Sequence, residues 1–169
     1  MHNTDHERDS IDRIREGWQA LRPEMDTSVI GTIGRVIRVA RHVTLLSDHV
    51  LAEYGISRGE FDVLSAVRRA ASPLTPSELA RGLVTSNASI TKRMVALESL
   101  GLAVRERGAA DRRVVRVRLT EEGVALIDRA VPAQLAFERE LEAQLSPEER
   151  DAFERTLRTV LGELERRAE

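Results

Sequence analysis

Four arginines, Arg112, Arg113, Arg116 and Arg118, fall within seven residues inside the stretch GAADRRVVRVRLTEEG, Gly108 to Gly123. A guanidinium is always charged and presents a planar fork of donors that matches phosphate oxygens, so arginines at this density point to a polyanion. Their spacing divides them into two pairs. Arg112 and Arg113 sit in a small-residue turn, where a guanidinium is free to enter a narrow DNA minor groove and read its width and negative potential. Asp111 would restrain that tip by pairing with an arginine. Arg116 and Arg118 alternate with Val115, Val117 and Leu119 along a strand, which suits phosphate contacts or solvated charges.

A second group precedes the first in TSNASITKRMVALESLGL. Ile90, Met94 and Leu97 form a helical apolar row, and Ser86 or Asn87 is placed to cap it. On the opposite face lie Ser89, Lys92, Ala96 and Ser99, of which only the N-terminal part would reach base edges. Asn87, Ser89, Thr91 and Lys92 are the candidate readers, and Ala88 is positioned for a thymine methyl group. Each also has a plainer reading as a phosphate or solvent contact. Arg93 is different, because it lies beside the apolar row and off the groove face, where a charge must be paired or face a polar cavity. Two readings stand for it: an ion pair with Asp62 or a neighbouring acid, or a site for an anionic ligand.

Catalytic constellations do not emerge. The chain has no cysteine, no glycine-rich phosphate loop and no nucleophile motif. Of the four histidines, His2 and His6 lie in a polar N-terminal stretch. His42 and His49 are seven residues apart on a helix, about 10.5 Å of rise and too far to share a metal. The expectation is a protein that is not an enzyme and needs no cofactor. No apolar run approaches the roughly 18 residues of a membrane span, and MHNTDHERDS lacks the order of a secretory signal, so a cytoplasmic location away from the membrane is expected.

The formal charge is −2, yet its distribution is uneven. Residues 86–119 hold eight basic and three acidic groups, whereas residues 120–169 hold seven basic and thirteen acidic. A basic island in an acidic chain suggests one surface meant for a polyanion, with the rest kept off it; a solvated arginine-rich hairpin without a partner is the alternative.

These residues must be held by elements the sequence also spells out. Ile11, Ile14, Trp18 and Leu21 mark a short helix, capped by Asp9 or Ser10 and stopped near Pro23. Asp26 to Ser28 offer caps for a long helix in which Val29, Val36, Val43 and Val50 recur every seven residues. Its apolar stripe is wider than one neighbour needs. Phe61, Leu64 and Val67 give the next helix a core face, and Thr75, Pro76 and Glu78 start another. That helix and the one after Ser86 make a helix-turn-helix. From Leu102 to Leu119 the apolar period becomes two, which predicts a hairpin or wing. Val124, Ile127, Val131, Leu135, Leu141 and Leu145 then mark a long helix that Pro132 should bend, and Phe153, Leu157, Val160, Leu161 and Leu164 mark the last one. The expected fold is mainly α with a small β-hairpin wing. Its regions are an N-terminal extension at 1–25, a long helix at 26–56, a winged helix-turn-helix at 57–120 and C-terminal dimerisation helices at 121–169.

This order resembles the MarR family of bacterial transcription regulators, and DRRVVRVRLTEEG is similar to that family's wing, with Asp111, Arg113, Leu119, Thr120 and Gly123 in register. The resemblance covers roughly residues 27–166. It implies a homodimer of N- and C-terminal helices that sets two recognition helices into successive major grooves of an inverted-repeat operator, with Arg113 as the inserted wing residue. IDRIREGWQAL, GISRGEFDVL and the arginine in ITKRMVALESLGL are further similar to an N-terminally extended, urate-responsive subgroup. That likeness implies Trp18, Asp62, Arg93 and Arg105 as ligand residues and a repressor released by a small anionic aromatic such as urate. Trp18 also has a plainer role as the anchor of its helix, and Asp62 as a solvated acid. A regulator of a different small carboxylate is the first alternative. A helical protein-interaction module without DNA binding is the second, although it would leave the arginine-tipped wing unexplained.

Overall fold

The structure, a computed structural model, describes residues 8–107 and 114–168. It is mainly helical with one two-stranded antiparallel sheet, as the sequence periodicities predict. In order come α1 (Ser10–Leu21), a 3₁₀ turn (Ser28–Gly31), α2 (Ile33–Ala52), α3 (Arg58–Arg69), α4 (Pro76–Gly82), α5 (Asn87–Ser99), β1 (Ala103–Arg107), β2 (Val115–Leu119), α6 (Glu121–Glu142) and α7 (Pro147–Ala168). The chain divides into two compact units, Met1–His49 and Val50–Glu169. Among the described residues no helix is long and apolar enough to cross a membrane.

In the first unit, the entry to α1 is fixed by a capping box. Asp9 accepts from the backbone N–H of Ile11 at 2.7 Å and of Asp12 at 3.2 Å, and the Asp12 carboxylate accepts from the Asp9 N–H at 3.1 Å. Arg35 on α2 locks this box in place. Its Nε donates to Asp9 and its Nη2 to Asp12, both at 2.7 Å, while Nη1 donates to the Gly31 carbonyl at 2.8 Å. Ile11 is buried over Gly34, where an added Cβ would lie 3.5 Å from its side chain. The long helix expected from Asp26–Ser28 starts later than its caps suggested. Asp26 accepts from the Ser28 N–H at 2.9 Å, and the i→i+3 bonds Ile30 N–H to Thr27 and Thr32 N–H to Val29 carry the chain through a 3₁₀ turn before α2 begins. Val29 therefore leaves the heptad row that continues through Val36 and Val43.

The second unit holds the core, built from Leu51, Ile56, Phe61, Val63, Leu64, Leu79, Ile90, Met94, Leu97, Val117 and Ile127, among others. Capping boxes start its helices: Ser57 with Glu60 for α3, and Thr75 with Glu78 for α4, where Pro76 occupies the first turn. Ser146 and Glu149 exchange the same bonds before α7. α6 extends from Glu121 to Glu142 with Pro132 inside it. The expected core row of α6 is only half internal, because Ile127 is fully buried while Leu135 and Leu141 are exposed. No residue of α7 is buried. Periodicity identifies an apolar face but not what covers it.

Candidate functional site

Ser86 caps α5 by accepting from the Ser89 N–H at 3.1 Å, which settles the choice between Ser86 and Asn87. The helix buries Ile90, Met94 and Leu97 completely and so turns the opposite face outward. Asn87, Ala88, Thr91 and Lys92 are exposed on it, and Ser89 is half-buried. Two of these hydroxyls already have local partners: Thr91 donates to the Asn87 carbonyl at 2.9 Å, and Ser86 donates to Ser89 at 3.1 Å. Thr91 keeps lone pairs for donor groups on bases, whereas Ser89, which accepts from Ser86, still has its own O–H to donate. Lys92, the only lysine of the chain, is the cation of this face.

The α4–α5 turn that aims this helix is closed by backbone bonds from Val84 to Arg81 at 3.1 Å and from Thr85 to Ala80 at 2.9 Å. Val84 holds a left-handed φ of 49° with its side chain 94% exposed. At the other end of α5, Leu102 N–H bonds the Leu97 carbonyl at 2.9 Å, and the chain enters the wing.

β1 and β2 pair antiparallel with Ala103 opposite Leu119 and Arg107 opposite Val115. Val117 is buried and donates its N–H to the Leu74 carbonyl at 2.8 Å, tying the wing to the segment before α4. The base of the wing is a close approach of backbone to backbone. Thr120 donates its N–H to the Leu102 carbonyl at 3.1 Å and its hydroxyl to the Gly101 carbonyl at 2.7 Å, and it accepts from the Gly123 N–H at 3.0 Å. A Cβ at Gly123 would stand 1.9 Å from the Leu102 oxygen, so only glycine fits there.

Most strand arginines are committed inside the protein. Arg105 grips Glu98 of α5 through two bonds of 2.9 and 2.5 Å, which holds the Glu98 carboxyl below its ordinary range. Arg118 bonds Glu106 across the hairpin at 2.7 and 3.0 Å and lowers that carboxyl likewise. Arg116 donates to the Pro73 carbonyl at 2.7 Å. Arg105 would have to leave Glu98 to meet a ligand, and Arg118 would have to leave Glu106 to meet a phosphate. Arg107 makes no ion pair among the described residues and is exposed at the end of β1. In the sequence its signal is the alternation alone, Arg107 following Arg105 on the polar side of the strand. Gly108, Asp111, Arg112 and Arg113, the tip itself, lie outside the described residues, as do His2 and His6.

Of the residues that the resemblance tied to a ligand, Asp62 faces Arg58, one turn earlier on α3, at 2.9 Å. Arg58 also reaches Glu138 at 3.3 Å, and Gln134 donates to that same carboxylate at 2.9 Å. Arg93 makes no ion pair among the described residues, so the alternative of a pair with Asp62 or a neighbouring acid is not formed there. The residue is half-buried, and its guanidinium lies against Gly59 instead. Trp18 belongs to α1 in the first unit, with 43% of its surface exposed.

A sequence profile of the MarR family matches residues 54–114, from the end of α2 to the wing. The HTH-type transcriptional regulator PecS of Dickeya dadantii is 34% identical over 158 residues, which cover 92% of this chain and 93% of that protein. Among solved structures, a cysteine-to-serine mutant of MarR from E. coli, complexed with operator DNA, superposes with a TM-score of 0.70 at 27% identity, over 85% of this chain and 97% of that one. The S. aureus MepR–DNA complex gives a TM-score of 0.72 over 78% of this chain and 98% of that one; at 22% identity it speaks for the fold.

Proposed function

The chain belongs to the MarR family of DNA-binding transcriptional regulators, which are not enzymes, and on that premise we propose that it is a homodimeric repressor that a small anionic ligand releases from an inverted-repeat operator. The observation that carries the DNA half is α5. Its exposed Asn87, Ala88, Thr91 and Lys92 stand opposite a fully buried row, beside a wing whose Arg107 makes no ion pair among the described residues. In this reading α5 enters the major groove, Arg113 with Arg112 enters the minor groove, Arg107 meets a phosphate, and Arg116 would have to leave the Pro73 carbonyl to do the same. Pairing of two chains is supported by the apolar side chains that α7 leaves exposed, Phe153, Leu161 and Leu164, and by those of α2, Val36, Ile37 and Val39.

The ligand half rests on Arg93, a half-buried cation without an ion-pair partner among the described residues, on the helix that would read the operator. A guanidinium without an acidic partner keeps its donors for an anion, which would pair with its charge. Asp62 and Arg105 flank the proposal as residues whose present partners, Arg58 and Glu98, a ligand would have to share. Urate is the leading probe of this class, and other small carboxylates are the second.

Operator affinity and ligand response separate the two halves. In a duplex-binding titration, Arg113→Ala should cost about 1–3 kcal/mol of operator affinity. Arg93→Ala should keep that affinity and lose most of the response to urate, with Trp18 fluorescence as an independent readout of ligand. An Arg113→Ala protein that binds as tightly as the parent would remove the wing from the interface.

A further inference from the structure

Glycine is a poor occupant of a helix, because it loses more conformational freedom than other residues on folding and gives nothing to pack. Gly59 is nonetheless the second residue of α3, inside the Ser57–Glu60 capping box. Its φ is not left-handed, so backbone strain does not call for it. What it does provide is room. A Cβ built there would lie 3.1 Å from Nη2 of Arg93, 2.9 Å from its Cζ and 2.6 Å from its Nε, the last two being distances that a real methyl group does not keep.

The neighbouring acids sharpen the point. Asp62 and Glu138 are held by Arg58, whose guanidinium carbon also lies 5.6 Å from the centroid of the Phe61 ring. Arg93 is thus set against the start of α3 without drawing on either carboxylate, and an arriving anion would have no acid to displace from its guanidinium. Arg93 also follows Lys92 directly on α5, so a pull on its guanidinium acts on the helix proposed to read bases.

We propose that Gly59 is a positioning residue for an anion site centred on Arg93: the absent side chain is the seat in which that guanidinium lies. The inference rests on the reading of Arg93 given above. The seat fixes where the cation waits, and the anion completes it.

The test uses the full chain as Gly59→Ala, Arg93→Ala and the double variant, with arginine Nε–H resonances, operator binding and urate-driven release measured on each. Alanine is the better helix former and meets only the far end of a flexible side chain, so Gly59→Ala should fold with an unchanged or higher melting temperature and keep its operator affinity. The Arg93 Nε signal should move, and the urate concentration needed for release should rise about tenfold. In the Arg93→Ala background the same substitution should change nothing further, an interaction that a generally structural glycine would not show. An unmoved Nε signal with an unchanged urate midpoint in Gly59→Ala overturns the seat. A full urate response in Arg93→Ala, or a parent protein indifferent to urate, overturns the anion site itself.

Discussion

Val84 stands in the turn before the recognition helix with a φ of 49°, a conformation in which a β-branched side chain crowds its own backbone. Left-handed backbone costs an L-residue roughly 1–2 kcal/mol, and glycine escapes that cost while losing about 0.5–1 kcal/mol to its freer unfolded chain. With 94% of Val84 exposed, no packing is lost on truncation. Val84→Gly should therefore gain about 0.5–1 kcal/mol in a denaturant titration, and a loss of stability would show that the valine is held by contacts rather than tolerated. Nothing in the sequence announces that strain, since valine is an ordinary residue between Leu83 and Thr85. Residue types that act through their own chemistry were legible, with Ser86 or Asn87 as cap and Lys92 on the outward face, whereas Gly123 was marked only by its place in the family's wing pattern. Residues defined by a neighbour were not. Glu98 meets Arg105 across seven positions and Glu106 meets Arg118 across twelve, and only the folded hairpin shows that these arginines are already engaged.

Elements were read more fully than residues, because a helix face or an alternating strand repeats its message at every turn. The core face of α3, the start of α4 at Thr75, Pro76 and Glu78, the hairpin and both C-terminal helices follow their patterns, whereas the 3₁₀ turn before α2 escaped because Val29 fits a heptad row as well as it fits a turn. The α1 anchor has a pH consequence of its own. Arg35 holds the Asp9 carboxyl down at about 2 and also lowers Asp12, chiefly through hydrogen bonds from its guanidinium. A carboxyl depressed in the folded state stabilises fully above its unfolded value, about 3.9, and loses that contribution as pH falls through the folded one. Docking of α1 should accordingly weaken between about pH 4 and pH 2. Trp18, on the same helix, should report it as a change in emission, and Arg35→Met should flatten that acid step. An identical acid titration for the two proteins would mean that Ile11 and its apolar neighbours hold the helix alone.

At the scale of the molecule, the arrangement of charge matters more than its total of −2. The polyanion surface was legible as a basic island between residues 86 and 119, and the structure shows how much of it is spent internally. Arg105, Arg116 and Arg118 have protein partners, while Arg107 and Lys92 make no ion pair among the described residues. Salt dependence reads this division directly, since each phosphate neutralised contributes close to one counterion to the slope. Arg107→Gln should lower the slope of log K against log salt by about 1, whereas Arg118→Gln should leave it nearly unchanged. Equal losses for the two would mean that Glu106 surrenders Arg118 to the duplex on binding.

The lone lysine has a practical side. Every other basic side chain that could bear a positive charge at neutral pH is an arginine or a histidine, so an amine-seeking acylating reagent finds one side-chain target, and that target is exposed on α5. Coupling through side-chain amines would tether the protein to a sensor by the helix proposed to meet the operator. Turned around, the same chemistry becomes a footprint: in the proposed complex, duplex DNA should shield that single amine from the label.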